Sequence, residues 1–505
     1  MGQKAIRENT LFYGDNLTVM QEYIADESVD LIYLDPPFNS NRNYNVLYKD
    51  ESGLDSTAQI IAFEDTWHWS FETEDEFQAM VRYDDELGQQ LQTFVNTMGR
   101  NQMTAYLVMM SNRLLELHRI LKPTGSLYLH CDPTASHYLK IILDMIFGAK
   151  HFLNEIVWCY SHGGKGKTRY ARKHDVILFF SKGKTWTFNG DSIGIPRDTG
   201  VKSRGGKLGI DEDGRPYQDK IVKKTGKVYR YYLDKGKIPE DWWVDINSLQ
   251  ASVAERLGYP TQKPLALLER IIKASSNEGD VVMDPFCGCG TAVHAAQSLG
   301  RTWIGIDITY LAIALIKNRL HGAFEIEAGK DYNLIGEPTT MQEAKYLAKQ
   351  DRYQFQWWAL GLLPARPYGA KCKSKHGKKG KDTGIDGIMT FSEGKGKDKQ
   401  IIVQVKSGKV SSRDIRDLHG TVEREKHAVM GVFVTLHSAT HDMNLESMAI
   451  GKYHWHAFDR YYPKIQILTI EDLLHGETVK KPGVLTTLKQ AERELIPEAM
   501  QEELL

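Results

Sequence analysis

Three strings in this 505-residue chain combine residue types and spacings suited to chemistry. The first is Asp35-Pro36-Pro37-Phe38, directly after the apolar run Val29–Leu34. Proline cannot continue a central strand, so the chain leaves the sheet there and Asp35 stands at the strand's C-terminal edge. Open α/β sheets bind ligands at that edge. Taken alone, the string fits a structural turn as well as it fits a site. The second string is Asp284-Pro285-Phe286-Cys287-Gly288-Cys289-Gly290-Thr291, in which a buried strand runs into a small-residue turn and then a helix. Gly288 and Gly290 let the backbone approach a ligand at a helix N-terminus. No lysine follows, as a phosphate-cradling loop requires, and the dinucleotide spacing is absent too. Asp307, closing the next strand, can accept hydrogen bonds from both hydroxyls of a ribose. Together these residues suit a nucleoside ligand without a diphosphate. Cys287 and Cys289 lack the second Cys or His pair of a zinc site.

The third string spans Asp386, Gln404 and Lys406. Alternation puts Gln404 and Lys406 on one face of a strand that Asp386 can reach. A carboxylate, an amide carbonyl and a lysine can hold Mg²⁺ and assist water attack on a phosphodiester. The same spacing also occurs on any exposed sheet face, so it is weak by itself.

These residues need elements to position them. Residues 101–121 read as a long helix with Leu107, Met110, Leu114, Leu115, His118 and Leu121 at helical spacing. A strand at Gly125–His130 and a helix over 136–147 follow. From 160 to 240 the chain turns to glycine, lysine and aromatic patches, and then the α/β alternation resumes. Helices are expected at 264–276 and 291–299, with strands at Val281–Met283 and Trp303–Ile306. A helical stretch at 341–362 opens a second α/β unit, whose strands are expected at Gly387–Phe391, Ile401–Val405, Val429–Thr435 and Ile465–Thr469. The alternation implies sheets covered by helices.

A formal charge of -1 and 41% hydrophobic residues describe an ordinary folded chain of two or three domains. No apolar run approaches a membrane span, and the N-terminus lacks the apolar core of a signal peptide. Five cysteines exclude a disulfide scaffold, which makes a reducing cytoplasm the expected compartment. The near-neutral total hides an acidic first third and a basic segment at 160–240, a distribution suited to a polyanion.

The loop Asp284–Thr291 resembles the D-P-F-x-G-x-G-T string of amino-methylating DNA methyltransferases that use S-adenosylmethionine, and Asp35–Phe38 is similar to their catalytic motif. Thr261-Gln262-Lys263-Pro264 resembles the string opening the helix beside their cofactor, with Tyr259 where the family often has His. Catalytic motif first, basic segment next and cofactor loop last is the permuted order of the beta group. The resemblance implies cofactor contacts from Asp284, Pro285, Phe286, Gly288, Gly290 and Thr291 at the methionine end, and from Asp307 at the ribose. It implies further contacts from Lys263 and Pro264 on the flanking helix, and from Asp15 at the adenine amino group. It gives the Asp35 carboxylate and the Pro36 carbonyl the two protons of a target amine, with Pro37 shaping the turn and Phe38 stacking on a flipped base. Asp at the first position usually accompanies adenine, and cytosine-N4 transfer is the alternative. His130-Cys131-Asp132 is expected as a wall of the site, and Asp65–Trp69 as either its closure or buried packing.

The C-terminal string resembles the Mrr-like PD-(D/E)xK nucleases, in which Gln replaces the central acid. That likeness implies Asp386 and Gln404 as Mg²⁺ ligands, Lys406 beside the phosphate and Glu343 as a candidate helix-borne ligand. A fold of this kind that only binds DNA is the competing reading. The expected fold is α/β throughout: a Rossmann-like methyltransferase at 1–335 with an inserted target-recognition region at 155–260, then a restriction-endonuclease-like domain at 341–475 and a helical tail at 476–505. Double-stranded DNA is the implied partner, a homodimer and a separate restriction subunit stay open, no membrane is expected, and the setting is the cytoplasm of a bacterium or a phage host.

Overall fold

The computed structural model describes residues 4–482 except 38–41, 50–54, 66–68, 83–84, 162–167, 169, 196–205, 223, 234–235, 250–254, 256, 258, 260, 364, 369–383, 393–397 and 457. Its centre is a nine-stranded sheet. The order runs Trp242–Trp243, Phe152–Cys159, His174–Ser181, Leu121–Cys131, Val29–Leu34, Val281–Asp284, Thr302–Asp307, Thr10–Tyr13 and Asn333–Ile335. The strands from Leu121–Cys131 through Asn333–Ile335 are parallel to their neighbours, while His174–Ser181 pairs antiparallel on both sides. Strands in a parallel sheet are covered on both faces and read as apolar runs, which is why they were visible in the sequence.

Helices Asn16–Tyr23, Phe71–Arg82, Glu86–Met98, Gln102–Ile120 and Ser136–Phe147 bury one face of the sheet. Helices Leu265–Ser275, Thr291–Ser298 and Tyr310–Phe324 bury the other. In the Gln102–Ile120 helix, Asn101 and Thr104 form a reciprocal cap. Its core stripe differs from expectation at one place: Leu115 is 41% exposed while Leu117 is fully buried. The stripe follows the 3.6-residue period, and Leu115 falls outside the arc that meets the sheet.

Register makes the site. Val282 pairs with Leu31 and Met283 with Ile32, so Asp284 falls opposite Tyr33 and Asp35 emerges two residues further along at the same edge. Asp284 pairs with Gly305, and Asp307 pairs with Tyr13, which brings Asp307 and the Gly14-Asp15 turn to the same edge. Segments far apart in sequence thus form four adjacent strand ends.

The expected insertion at 155–260 is only partly separate from this sheet. Its first part supplies the apolar strands Phe152–Cys159 and His174–Ser181, and Trp242–Trp243 re-enters at the sheet edge. Between them lies a small antiparallel sheet of Gly206–Ile210, Pro216–Ile221 and Val228–Tyr232. There Arg230 lies over the Tyr217 ring and pairs with Asp219, and Arg215 lies over Tyr232.

The C-terminal unit is a five-stranded sheet ordered Arg366–Pro367, Gly387–Ser392, Asp398–Lys406, Ala428–Thr435 and Ile465–Thr469. The single helix expected over 341–362 is two, Met341–Gln350 and Arg352–Leu362. Asp351 breaks it by turning extended and capping the second helix through Tyr353 N and Gln354 N. The tail expected at 476–505 lies mostly at 483–505, outside the described residues. The two units share packing: Tyr310 lies in the C-terminal core and stacks on Tyr13, with ring centroids 3.7 Å apart. Trp357 rests on the cluster of Tyr259, Cys289, Leu311 and Leu315. Among the described residues no helix is long and apolar enough to cross a membrane.

The Asp284–Thr291 turn depends on Gly290, which caps the following helix at φ +77. A Cβ there would lie 2.7 Å from Cγ1 of Ile316. Gly290→Ala adds left-handed strain to that overlap and should cost about 2–4 kcal/mol, read as a lower denaturation midpoint. A shift below about 0.5 kcal/mol would show that the turn relaxes freely.

Candidate active sites

The four strand ends enclose a cavity of about 270 Å³. Of the residues singled out from sequence, Asp15, Asp35, Pro36, Pro37, Lys263, Asp284, Pro285, Phe286, Gly288, Thr291 and Asp307 line it. Pro264 and Gly290 do not; each caps the start of a helix behind the wall. Phe38 lies outside the described residues, as do Thr66, Trp67 and His68. Trp69 is in packing: it meets Phe77 edge-on and donates to Glu74.

Asp35 is the most constrained group of the site. Its Oδ2 accepts an ion-paired hydrogen bond from Lys263 Nζ. Its Oδ1 is buried and has no hydrogen-bond partner among the described residues. A buried acceptor left unmet costs roughly 1–3 kcal/mol, so such an atom calls for a ligand or a catalytic role. Asp284 is buried, and one of its oxygens accepts the Phe286 N–H across the turn. Burial pushes its carboxyl well above the usual range; Phe286 opposes that rise, Asp35 and Asp307 add to it, and Lys263 opposes it. Asp307 accepts Gly288 N at 2.9 Å through Oδ2, and Thr309 N and Oγ1 through Oδ1. Burial raises its carboxyl to about 6 against those stabilising hydrogen bonds. Four carboxyl groups, Asp15, Asp35, Asp284 and Asp307, line the cavity with Lys263 and Arg113 beside them, so its charged groups are predominantly acidic.

Several lining residues were not singled out from sequence. Arg113 is buried on the Gln102–Ile120 helix and donates to Asp15 Oδ2 and to Asn16 Oδ1, each at 2.6 Å. Asn16 in turn donates to the Pro285 carbonyl at 2.8 Å, tying the Asp15 turn to the glycine turn. An arginine on an apolar helix face was the available signal, because a buried charge must be paired. Asp15 itself caps the Asn16–Tyr23 helix through Leu17 N and Thr18 N. Its carboxylate is thus committed to protein donors as well as facing the cavity. The Tyr259 ring packs 3.2 Å from where a Cβ on Gly288 would sit, a close approach that glycine allows. His130 stands behind the wall rather than in it. It is fully buried, bridging Tyr33 Oη at 3.0 Å and Asp175 at 3.2 Å, and Tyr33 is the residue that lines the cavity.

In the C-terminal unit, Gly387 pairs with Val403, which sets Asp386 beside Gln404. Asp386 accepts Val405 N at 2.7 Å and Gln356 Nε2 at 2.9 Å. Gln404 is buried, and its Oε1 has no partner among the described residues. Lys406 is half-buried on the same strand face. Glu343, the expected helix-borne ligand, is instead exposed and closes a capping box with Thr340. The Arg352–Leu362 helix reaches the site through Gln356. Asp386 and Gln404 offer two oxygens suited to Mg²⁺, which keeps several waters and takes the rest from substrate phosphate. Among the described residues no group of three His, Cys, Asp or Glu side chains adds to them.

Comparison with known proteins agrees with this division. A DNA methylase family model matches residues 29–318, and a restriction endonuclease model matches residues 347–450. The DNA adenine methyltransferase YhdJ of Escherichia coli (strain K12) is 30% identical over 324 residues, 63% of this chain and 85% of that protein. The type II methyltransferase M.HpaI of Haemophilus parainfluenzae is 36% identical over 222 residues, 43% of this chain and 60% of that protein. Among solved structures, the PvuII DNA methyltransferase (cytosine-N4-specific) superposes with a TM-score of 0.37 at 14% identity, over 62% of this chain and 88% of that one. The chain belongs to the DNA methylase family of N6 and N4 amino-methylating enzymes, with a restriction endonuclease domain behind the methylase.

Proposed function

We propose that the methylase domain transfers a methyl group from S-adenosylmethionine to N6 of adenine in duplex DNA, and that the C-terminal domain is a Mg²⁺-dependent nuclease acting in restriction–modification. The observation that carries the first part is Asp35, held at Oδ2 by Lys263 and left with a buried, unmet acceptor at Oδ1. S-adenosylmethionine, when bound, supplies an electrophilic methyl on a sulfonium. An exocyclic ring amine is a weak nucleophile because its lone pair is delocalised into the ring. The Asp35 carboxylate and the Pro36 carbonyl would accept hydrogen bonds from its two N–H groups, which localises the lone pair and aims it at the methyl. Transfer would join the amine nitrogen to the methyl as the methyl–sulfur bond breaks, the cofactor would leave as the neutral thioether, and the Asp35 carboxylate would take the surplus proton and pass it to solvent.

Asp284 and the glycine turn suit the methionine end, and Asp307 suits the ribose. Adenine is favoured over cytosine by Asp at the first motif position and by the name of the E. coli relative. The small sheet around Tyr217 and Arg230 is the part of the 155–260 region best suited to choosing the DNA sequence, since guanidinium and aromatic groups contact phosphates and bases.

In the C-terminal domain, Asp386 and Gln404 would hold Mg²⁺, which supplies Lewis-acid activation of water and phosphate, with Lys406 beside the charged phosphate. Gln356 orients Asp386. The competing reading, a module that only anchors the methylase on DNA, draws on Asp386 as the one carboxylate of this site among the described residues. Uncut host DNA requires methylation to block cutting or to license it.

Mass analysis of nucleosides after incubation with DNA and cofactor should show N6-methyladenine. Asp35→Ala should lower transfer by at least ~10²-fold while largely sparing cofactor binding. N4-methylcytosine as the sole product would overturn the adenine assignment. Cofactor affinity should fall as pH drops through about 6, because protonating Asp307 removes a ribose acceptor. The raised carboxyl stabilises the fold below its unfolded value near 3.9, and that contribution is lost as pH rises through about 6, so affinity and this term of stability move in opposite directions. Calorimetric titration across this range checks the sign; flat affinity would remove Asp307 from the ribose. With Mg²⁺, unmodified DNA should be cut, and Asp386→Ala and Lys406→Ala should abolish cutting. Binding by all three proteins without cutting of methylated or unmethylated DNA, with Mg²⁺ or Mn²⁺, would favour the anchoring module.

A further inference from the structure

We infer that Lys263 is the positioning residue of the catalytic carboxylate rather than a ligand of the cofactor. A carboxylate has two oxygens and a free torsion, and an amine must meet one oxygen in one plane. The ion pair to Oδ2 fixes that torsion and leaves Oδ1 as the acceptor without a partner among the described residues. Both side chains are largely shielded, Lys263 12% and Asp35 14% exposed, so the pair is not the loosely held kind found in open solvent.

The lysine stands on a stiff mount. The next residue, Pro264, caps the Leu265–Ser275 helix, and Glu255 accepts Leu265 N through Oε1 and Gln262 Nε2 through its carbonyl. Gln262 also accepts Leu257 N at 2.7 Å, closing the turn on itself. Asp175 and Asp284 feel the same ammonium, so the charge of Lys263 sits among carboxylates from three strand ends. A cation so placed also lowers the repulsion between Asp35 and Asp284, which the sheet register forces together. Swinging the ammonium away toward a cofactor carboxylate would leave Asp35 without its cation.

This role rests on Asp35 as the acceptor of the target amine. The 505-residue chain serves for the test, with cofactor affinity measured by calorimetry and methyl transfer measured in single turnover at saturating cofactor and DNA. Lys263→Met should change the cofactor Kd by less than about 3-fold and slow the transfer step by ~10²-fold, the scale of a misplaced reacting group. Lys263→Arg, which keeps the charge and a donor, should recover part of that loss. In an Asp35→Asn background, Lys263→Met should slow transfer little further, because its effect passes through Asp35. A melting profile guards against a merely unfolded variant, and the arginine variant covers that case. A Kd weakened by the full loss in kcat/KM, with the saturated step unchanged, would make Lys263 a cofactor ligand and overturn the inference. Additive losses in the double variant would overturn it too. Undiminished transfer by Asp35→Ala is a different result: it removes the assignment of Asp35 itself.

Discussion

Everything at the methylase site follows from the parallel pairing of Val29–Leu34 with Val281–Asp284. The two segments are some of the most distant in the domain, yet their register leaves Asp35 and Asp284 as neighbours at a water-poor edge. Two carboxylates so close repel each other and lose hydration, and neither effect is tolerated in a stable fold without compensation. The chain compensates in two ways. Lys263 supplies a cation from a third segment, and the Phe286 amide turns back onto Asp284. What stays uncompensated is a single oxygen of Asp35. Strain of that kind persists where a substrate group relieves it.

Local signals made the turns at Asp35 and at Asp284–Thr291 legible. An apolar run ending in Asp-Pro-Pro and another ending in a Gly-x-Gly turn each fix their own geometry within a few residues, whatever surrounds them. The N-capped helix after Thr340 was equally legible as Thr-x-x-Glu, and reading Glu343 as a ligand overlooked that its carboxylate is used by the backbone. Distant partnerships were not legible. Arg113 meets Asp15 across 98 positions and Lys263 meets Asp35 across 228, and no periodicity or spacing carries that information. Gln356 escaped notice for the same reason, and because an amide on a helix face is ordinarily a solvated residue. The break at Asp351 was missed because the apolar pattern continues through it, while an extended Asp starts a new helix.

The charged segment at 160–240 shows how composition misleads about boundaries. The segment encloses a sheet strand, since the last six residues of His174–Ser181 are buried. Composition reports the solvent-facing loops of such a region, whereas membership of the sheet is decided by a few apolar residues between them. The separate piece is correspondingly smaller, and its cohesion comes from guanidinium groups laid over tyrosine rings instead of an apolar core.

On the Arg352–Leu362 helix, successive residues serve different halves of the protein. Gln356 donates to Asp386, and Trp357 packs on the cluster that holds Tyr259 and Cys289 beside the glycine turn. A flexible tether would let each half search DNA on its own, with a local concentration set by tether length. Side chains interlocked through one helix remove that freedom. If both domains engage one duplex, they would do so as a single packed body, with the span between their two sites set by a packed helix and its neighbours.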